Sequence, residues 1–250
     1  MTRRPLLYGS WLALAGWILG NLAVAKVSPD VKPFVELFEL RYRGARTLQA
    51  TFLESYTENG RVVRVEAGIA YFRRPGKMRW EYEAPERNLF LVDGKSAWFY
   101  VPADHTATRV PAKVSSDWRT PLALLAGEMK VARVCAQVQS AIHEQIASPG
   151  DVMLHCEPRG AGSKSRELNS SETTTPGGGA GEAIFFEIVK KTGELVRVAV
   201  RDPGGVGIEF HFTNWQADPP VDDSLFHFRA PPGVAIVNGE FPGRQGEANP

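Results

Sequence analysis

Catalytic and metal-binding patterns are missing from this chain. Its five histidines are His105, His143, His155, His211 and His227. No two of them stand four residues apart on an expected helix, and none accompanies a cysteine motif, so no zinc-type ligand set is in view. Gly-x-Ser-x-Gly and His-Glu-x-x-His are both absent. Gly177-Gly178-Gly179 follows no strand-to-helix pattern and does not read as a phosphate loop. Glu81 and Glu83 could pose as paired carboxylates, but they fall on the polar side of an alternating segment, where solvated charge is the simpler reading. No catalytic residue, cofactor or metal is therefore expected, and the chain does not read as an enzyme.

An excess of either charge is also missing. There are 29 basic and 28 acidic residues, a net charge of +1, and no basic stripe interleaved with aromatics, so nucleic acid is not an expected partner. Cysteine is scarce. Cys135 and Cys156 are the only two, and neither lies in a Cys-x-x-Cys, which argues against a redox catalyst. Both fall in segments that read as strands. They are either a cross-strand disulfide or two separate buried thiols, and export would favour the disulfide. No internal repeat and no second-domain linker is visible.

Export is what the N-terminus suggests. Arg3-Arg4 precede an apolar run from Leu6 to Ala25, which ends Ala23-Val24-Ala25 before Lys26. A basic start, an apolar middle and a small-x-small exit make a secretory signal peptide over 1–25, cleaved after Ala25. An uncleaved anchor helix is the alternative, since the run nears the span of a bilayer. The paired arginines also faintly resemble a twin-arginine export signal. No cysteine stands at the cleavage site, so self-lipidation is not expected. Roughly 225 residues would remain in the periplasm, enough for one good-sized core.

The rest of the chain is mostly strand. Residues 30–56 contain the one clear long helix, with Val31, Phe34, Val35, Phe38, Tyr42, Ala45 and Leu48 at three- and four-residue steps and Gly44 as an interruption or stop. Strands are expected at 51–56, 67–73, 78–83, 88–92, 95–101, 131–138, 151–157, 184–190, 194–201 and 207–216. In 78–83 the alternation is strict, with Met78, Trp80 and Tyr82 on one face and Arg79, Glu81 and Glu83 on the other. Arg74-Pro75-Gly76-Lys77 and Asp93-Gly94 read as turns. Thr120 to Gly127 reads as a short apolar helix, with Pro121 at its start and Gly127 at its stop. Residues 158–183, rich in Gly, Ser and Thr, read as a flexible insertion, and 239–250 as a disordered tail. The expected domain is 26–238. Its fold class is mainly β with helices: an unclosed antiparallel half-barrel covered by the N-terminal helix and a short lid helix.

Aromatic residues are abundant between 71 and 100. The helix stripe and the face carrying Met78, Trp80 and Tyr82 could simply pack together. A wide curved sheet, however, offers more apolar face than two short helices cover, and the excess would form a hollow for an apolar ligand.

The residues also carry a family resemblance. Gly68, then Phe72-Arg73-Arg74-Pro75-Gly76-Lys77-Met78-Arg79-Trp80-Glu81-Tyr82, Pro85, and Leu91-Val92-Asp93-Gly94-Lys95-Ser96-Ala97-Trp98-Phe99-Tyr100 resemble the signature of the outer-membrane lipoprotein carrier (LolA) family. Thr120 to Leu125 is similar to that family's lid, and Asp223 to Val234 to its final strand and Pro-Gly turn. The resemblance implies a periplasmic carrier, acting as a monomer, that binds the acyl chains of lipoproteins. It would take them from an inner-membrane ABC transporter to an outer-membrane receptor lipoprotein. It further implies a lipid-lining set of Met78, Trp80, Tyr82, Trp98 and Tyr100, and a lid set of Arg74, Pro121, Leu122, Leu124 and Leu125, with Arg74 bonding lid backbone. Met78 stands where the family has an aromatic, the 158–183 insertion is long, and the cysteines lie outside the pattern. Those departures leave open another acylated cargo, such as a glycolipid. A periplasmic lipid-sensing regulatory domain is a further alternative. A lipid hydrolase would be a third, but it lacks a nucleophile set.

Overall fold

The computed structural model describes residues 26–112, 120–159 and 183–239. The expected signal peptide, nearly all of the 158–183 segment and all but Gly239 of the expected tail lie outside the described residues.

Among the described residues, thirteen strands form one open sheet. They are β1 (Lys26–Val27), β2 (Thr47–Glu58), β3 (Arg61–Arg73), β4 (Lys77–Ala84), β5 (Leu89–Val92), β6 (Ser96–Val101), β7 (Thr106–Pro111), β8 (Cys135–Ser140), β9 (Asp151–Pro158), β10 (Ala183–Val189), β11 (Leu195–Arg201), β12 (Val206–Ala217) and β13 (Ala235–Asn238). Two α-helices accompany them, α1 (Lys32–Arg43) and α2 (Ala123–Ala126). The order across the sheet is β1-β8-β9-β10-β11-β12-β2-β3-β4-β5-β6-β7-β13. All neighbours are antiparallel except the two outermost pairs, β1 with β8 and β13 with β7. The sheet does not close on itself, so the architecture is the expected half-barrel.

Hairpin chemistry sets much of this order. Asn59 and Gly60 both have positive φ (49° and 76°) between β2 and β3, the conformation that an Asn-Gly hairpin turn needs. Gly94 (φ 92°) turns β5 into β6. At Gly68 the register between β3 and β4 shifts, and an added Cβ would stand 1.9 Å from the Glu81 carbonyl oxygen. That approach explains a glycine in the middle of a strand.

Several sequence expectations change. The long helix stops at Arg43, with Gly44 as its cap, and β2 begins at Thr47. Ala45 therefore lies in the link and Leu48 on a strand. Leu48 kept the helical spacing because its strand faces the same core. Val131–Arg133 is a single 3-10 turn rather than the start of a strand. The segment likened to a final strand begins as a 3-10 turn, Asp223–Phe226, and the last strand is β13. Also unexpected from sequence is β7, whose Thr-Ala-Thr-Arg-Val-Pro run shows no strong alternation.

Both helices lie on one face of the sheet. Val35, Phe38 and Tyr42 of α1 are buried there, with Phe38 against Phe186 and Tyr42 against Trp215. The Tyr42 hydroxyl accepts the Leu195 N–H at 2.9 Å, and burial pushes its pKa up to about 12. Farther along, α2 packs on β3 and β4. Cys135 of β8 and Cys156 of β9 are joined as a disulfide, with Cα atoms 5.3 Å apart.

Candidate functional site

Cross-strand partners share a face, so register decides which aromatics meet. Trp80 pairs with Phe90, and Phe90 with Phe99. Phe52 pairs with Phe212 and Gly68, and Gly68 with Tyr82. All of these lie on the helix-covered face. Trp80 is fully buried at their centre, with ring centroids 4.9 Å from Phe52, 5.5 Å from Phe72 and 5.2 Å from Phe210. The contacts with Phe52 and Phe72 are edge-to-face, a geometry that adds about 0.5–1.5 kcal/mol each beyond the area buried. Met78 and Tyr82 are buried on the same face.

Trp98 and Tyr100 are not among them. Trp98 pairs with Leu91 and Tyr100 with Leu89, which puts both on the outer face. Of the expected lining set, Met78, Trp80 and Tyr82 therefore share the helix-covered face, and Trp98 and Tyr100 do not. The run Trp98-Phe99-Tyr100 is aromatic throughout, so composition could not tell which members face inward. Alternation assigns Phe99 to the helix-covered face and the other two to the outer one. There the segment after β12 crosses over them. Phe228 stacks on Trp98 at 4.8 Å, and Tyr100 is 5.8 Å from the same ring. Asp223 pairs with Lys77 (3.2 Å) and Arg73 (3.6 Å), and the Leu225 carbonyl accepts from Arg79 at 3.0 Å. Phe226, fully buried, lies under the Arg73 guanidinium.

The expected lid residues do come together. Pro121, Leu122, Leu124 and Leu125 are all buried, the three leucines within the main core. Arg74 ties this element to α1. Its Nε donates to the Gly127 carbonyl at 2.7 Å, Nη2 to the Tyr42 carbonyl at 2.8 Å, and Nη1 to the Arg43 carbonyl at 2.7 Å and to the Ala45 carbonyl. The last carbonyls of a helix have no partner within it. One guanidinium supplies several donors in a fixed fork and meets that need for both helices. Burial lowers its pKa from the usual arginine value. Next to it, the Gly76 N–H donates to the Ala126 carbonyl at 2.8 Å.

A second polar network lies on the outer face. Glu187, buried on the outer face, accepts from Arg197 at 2.7 Å and from the Ala147 N–H. Arg197 also reaches Glu209, which pairs with His211 at 2.6 Å. Through Arg201–Glu144 and the Arg197 bond to the Gln145 carbonyl, this network pins the 141–150 loop. Among the described residues no group of three or more His, Cys, Asp or Glu could hold a metal ion. No described helix is long and apolar enough to cross a membrane.

Residues 43–148 match the family model described as outer membrane lipoprotein carrier protein LolA. An outer-membrane lipoprotein carrier protein of Nitrosomonas europaea is 31% identical over 196 residues, covering 77% of this chain and 83% of that protein. One of Methylococcus capsulatus is 28% identical over 228 residues, covering 90% and 94%. Among solved structures, an uncharacterized conserved protein of Thermus thermophilus aligns with a TM-score of 0.49 at 13% identity, covering 84% of this chain and 99% of that one.

Proposed function

Since the chain belongs to the outer-membrane lipoprotein carrier family, we propose that it binds the acyl chains of lipoproteins on its helix-covered face and shuttles them across the periplasm. The donor would be an inner-membrane ABC transporter and the acceptor an outer-membrane receptor lipoprotein. The protein would work there as a monomer, after cleavage of residues 1–25. No catalytic role is proposed.

The observation that carries this reading is Arg74. Four hydrogen bonds from one side chain join α1 and α2 over an aromatic sheet face. A carrier must meet two opposed demands. Each CH₂ withdrawn from water is worth about 0.8 kcal/mol, so one sixteen-carbon chain favours burial by roughly 12 kcal/mol. Yet the cargo must leave again. A cover sealed only by apolar packing would close too firmly for that. A cover fastened by a few polar bonds, each worth about 1.5–3 kcal/mol when one partner is charged, can open and reclose. Met78, Trp80, Tyr82, Phe90 and Phe99 are the sheet residues that the acyl chains would displace or slide between.

Native mass spectrometry of protein taken from the periplasmic fraction tests the proposal. A bound acylated polypeptide is expected. Protein that is always empty, and that binds no fluorescent fatty acid, would overturn it.

A further inference from the structure

Between β12 and β13 the chain crosses the outer face as a strap, residues 218–234. Backbone bonds tie its two ends. The Asp218 N–H donates to the Thr47 carbonyl at 2.8 Å, and the Ala235 N–H to the His105 carbonyl at 2.9 Å. Between these points no backbone–backbone bond joins strap to sheet among the described residues. Val221, Leu225, His227 and Val234 donate within the strap, and Pro219, Pro220, Pro231 and Pro232 have no N–H to give. Side chains hold the strap instead: Asp223 on Lys77 and Arg73, Phe226 under Arg73, and Phe228 on Trp98 and Tyr100. A segment held in this way opens locally at lower cost than the hydrogen-bonded strands beneath it.

The strap also fits the sheet incompletely. Arg73 and Lys77 are cross-strand partners on β3 and β4, and they share one carboxylate. Lys77 holds Asp223 at 3.2 Å, within hydrogen-bond distance. The Arg73 Nε is 3.6 Å from it, beyond that distance. Arg73 Nη1 is buried and meets no acceptor among the described residues. Asp222 does not supply one, because its carboxylate accepts the Ser224 N–H at 2.8 Å and so caps the strap's own turn. A buried donor without an acceptor is costly. Two cations therefore face one carboxylate beside an aromatic shelf, and the strap covers them without satisfying both.

We propose that this groove, formed by Arg73, Lys77, Arg79, Trp98 and Tyr100, is a docking surface for a short acidic and aromatic segment of a partner protein, which displaces the strap. The strap itself specifies the chemistry. The segment carries a carboxylate three residues before one aromatic ring and five before another, as Asp223 stands before Phe226 and Phe228. Its carboxylate reaches farther toward Arg73 than an aspartate does. The strap competes as a tethered ligand at an effective concentration on the order of millimolar, so only a segment with better contacts replaces it. The groove lies on the face opposite α1 and α2, and the inference stands apart from the acyl-carrier reading.

The test uses purified protein spanning residues 26–250 and three fluorescein-labelled decapeptides, with anisotropy as the readout. One has the sequence of residues 221–230, the second carries Asp223→Glu and the third Asp223→Asn. The glutamate peptide should bind about tenfold more tightly than the aspartate peptide, the value of one added hydrogen bond between charged groups, and the asparagine peptide should bind most weakly. In the Arg73→Gln protein the glutamate and aspartate peptides should bind equally. Phe228→Ala, which loosens the strap, should admit all three about tenfold more readily. Hydrogen exchange on the wild-type protein keeps the test independent of any variant's folding: saturating glutamate peptide should raise exchange over residues 224–234 and leave β3 to β6 protected. Equal affinities for the three peptides, no binding even to folded Phe228→Ala, or binding that leaves the strap protected would each overturn the proposal. A wild-type protein that dimerises on concentration and is returned to monomer by the peptide would give the groove to a second copy and remove the partner protein.

Discussion

Arg74 and Gly127 lie 53 residues apart, and the Nε of the first meets the carbonyl oxygen of the second at 2.7 Å. The bond closes the C-terminal end of α2 onto the same guanidinium that completes the C-terminus of α1. Under the proposed function, cargo would enter between helices and sheet and break it. Arg74→Leu removes the bonds that favour the empty, closed form, so cargo should load readily and leave slowly. Transfer of a fluorescent lipopeptide to acceptor vesicles is expected to slow by about tenfold or more, and the empty protein to lose stability by several kcal/mol, since all four bonds go at once. Normal transfer by this variant would remove the latch from the mechanism. Lysine at the same position should not restore it, because an ammonium lacks the planar fork.

How far the sequence foretold this depends on which physical signal was at stake. The half-barrel, a short helix ending before Gly127 and the Arg74 turn were legible because alternation and turn chemistry are local, although that helix begins as a 3-10 turn at Thr120–Leu122 and is α-helical only over Ala123–Ala126. The inward face of β4 was legible for the same reason, since Arg79, Glu81 and Glu83 mark the other side. β6 was not. With Trp98, Phe99 and Tyr100 in a row, no polar residue marks a face, and only pairing with β5 decides. The burial of Glu54 was also hidden. A glutamate in Thr51-Phe52-Leu53-Glu54-Ser55-Tyr56 reads as surface until register sets it beside Tyr82.

The disulfide yields a stability prediction. Cys135 and Cys156 are 21 residues apart. Closing a loop of that size in the unfolded chain should stabilise the fold by about 3 kcal/mol. The Cys135→Ser, Cys156→Ser double variant is expected to melt about 6–12 °C lower. Thiol titration of the native protein should find no free group, and two reactive thiols would show that the bond is not formed in solution.

The strap across the outer face should be sensitive to acid. The Lys77 hydrogen bond, with the charges of Lys77 and Arg73, holds the Asp223 carboxyl below the usual aspartate range. A depressed folded-state pKa means that the ion pairs contribute fully above the unfolded value, about 3.9, and that their contribution is lost as pH falls through the lower folded value. Emission from Trp98, stacked on Phe228, should therefore change below about pH 4 in the native protein. Asp223→Asn should show the low-pH signal already at neutral pH. Identical titrations for the two proteins would detach the strap from this carboxylate.

Neighbouring aromatics of β6 separate the two faces experimentally. Phe99 pairs with Phe90 beneath the helices, whereas Trp98 stacks under Phe228 on the other side. If acyl chains bind on the helix-covered face, Phe99→Ala should weaken binding of a fluorescent fatty acid several-fold, by roughly the 1–2 kcal/mol that burial of an acyl chain against this ring supplies. Trp98→Ala should leave that affinity unchanged and instead loosen the strap, which would appear as faster proteolysis after β12. The melting temperatures of both variants must accompany the comparison, because both rings contribute to packing. A Trp98 variant that folds normally but no longer binds the fatty acid would place the acyl site on the outer face and reverse the assignment.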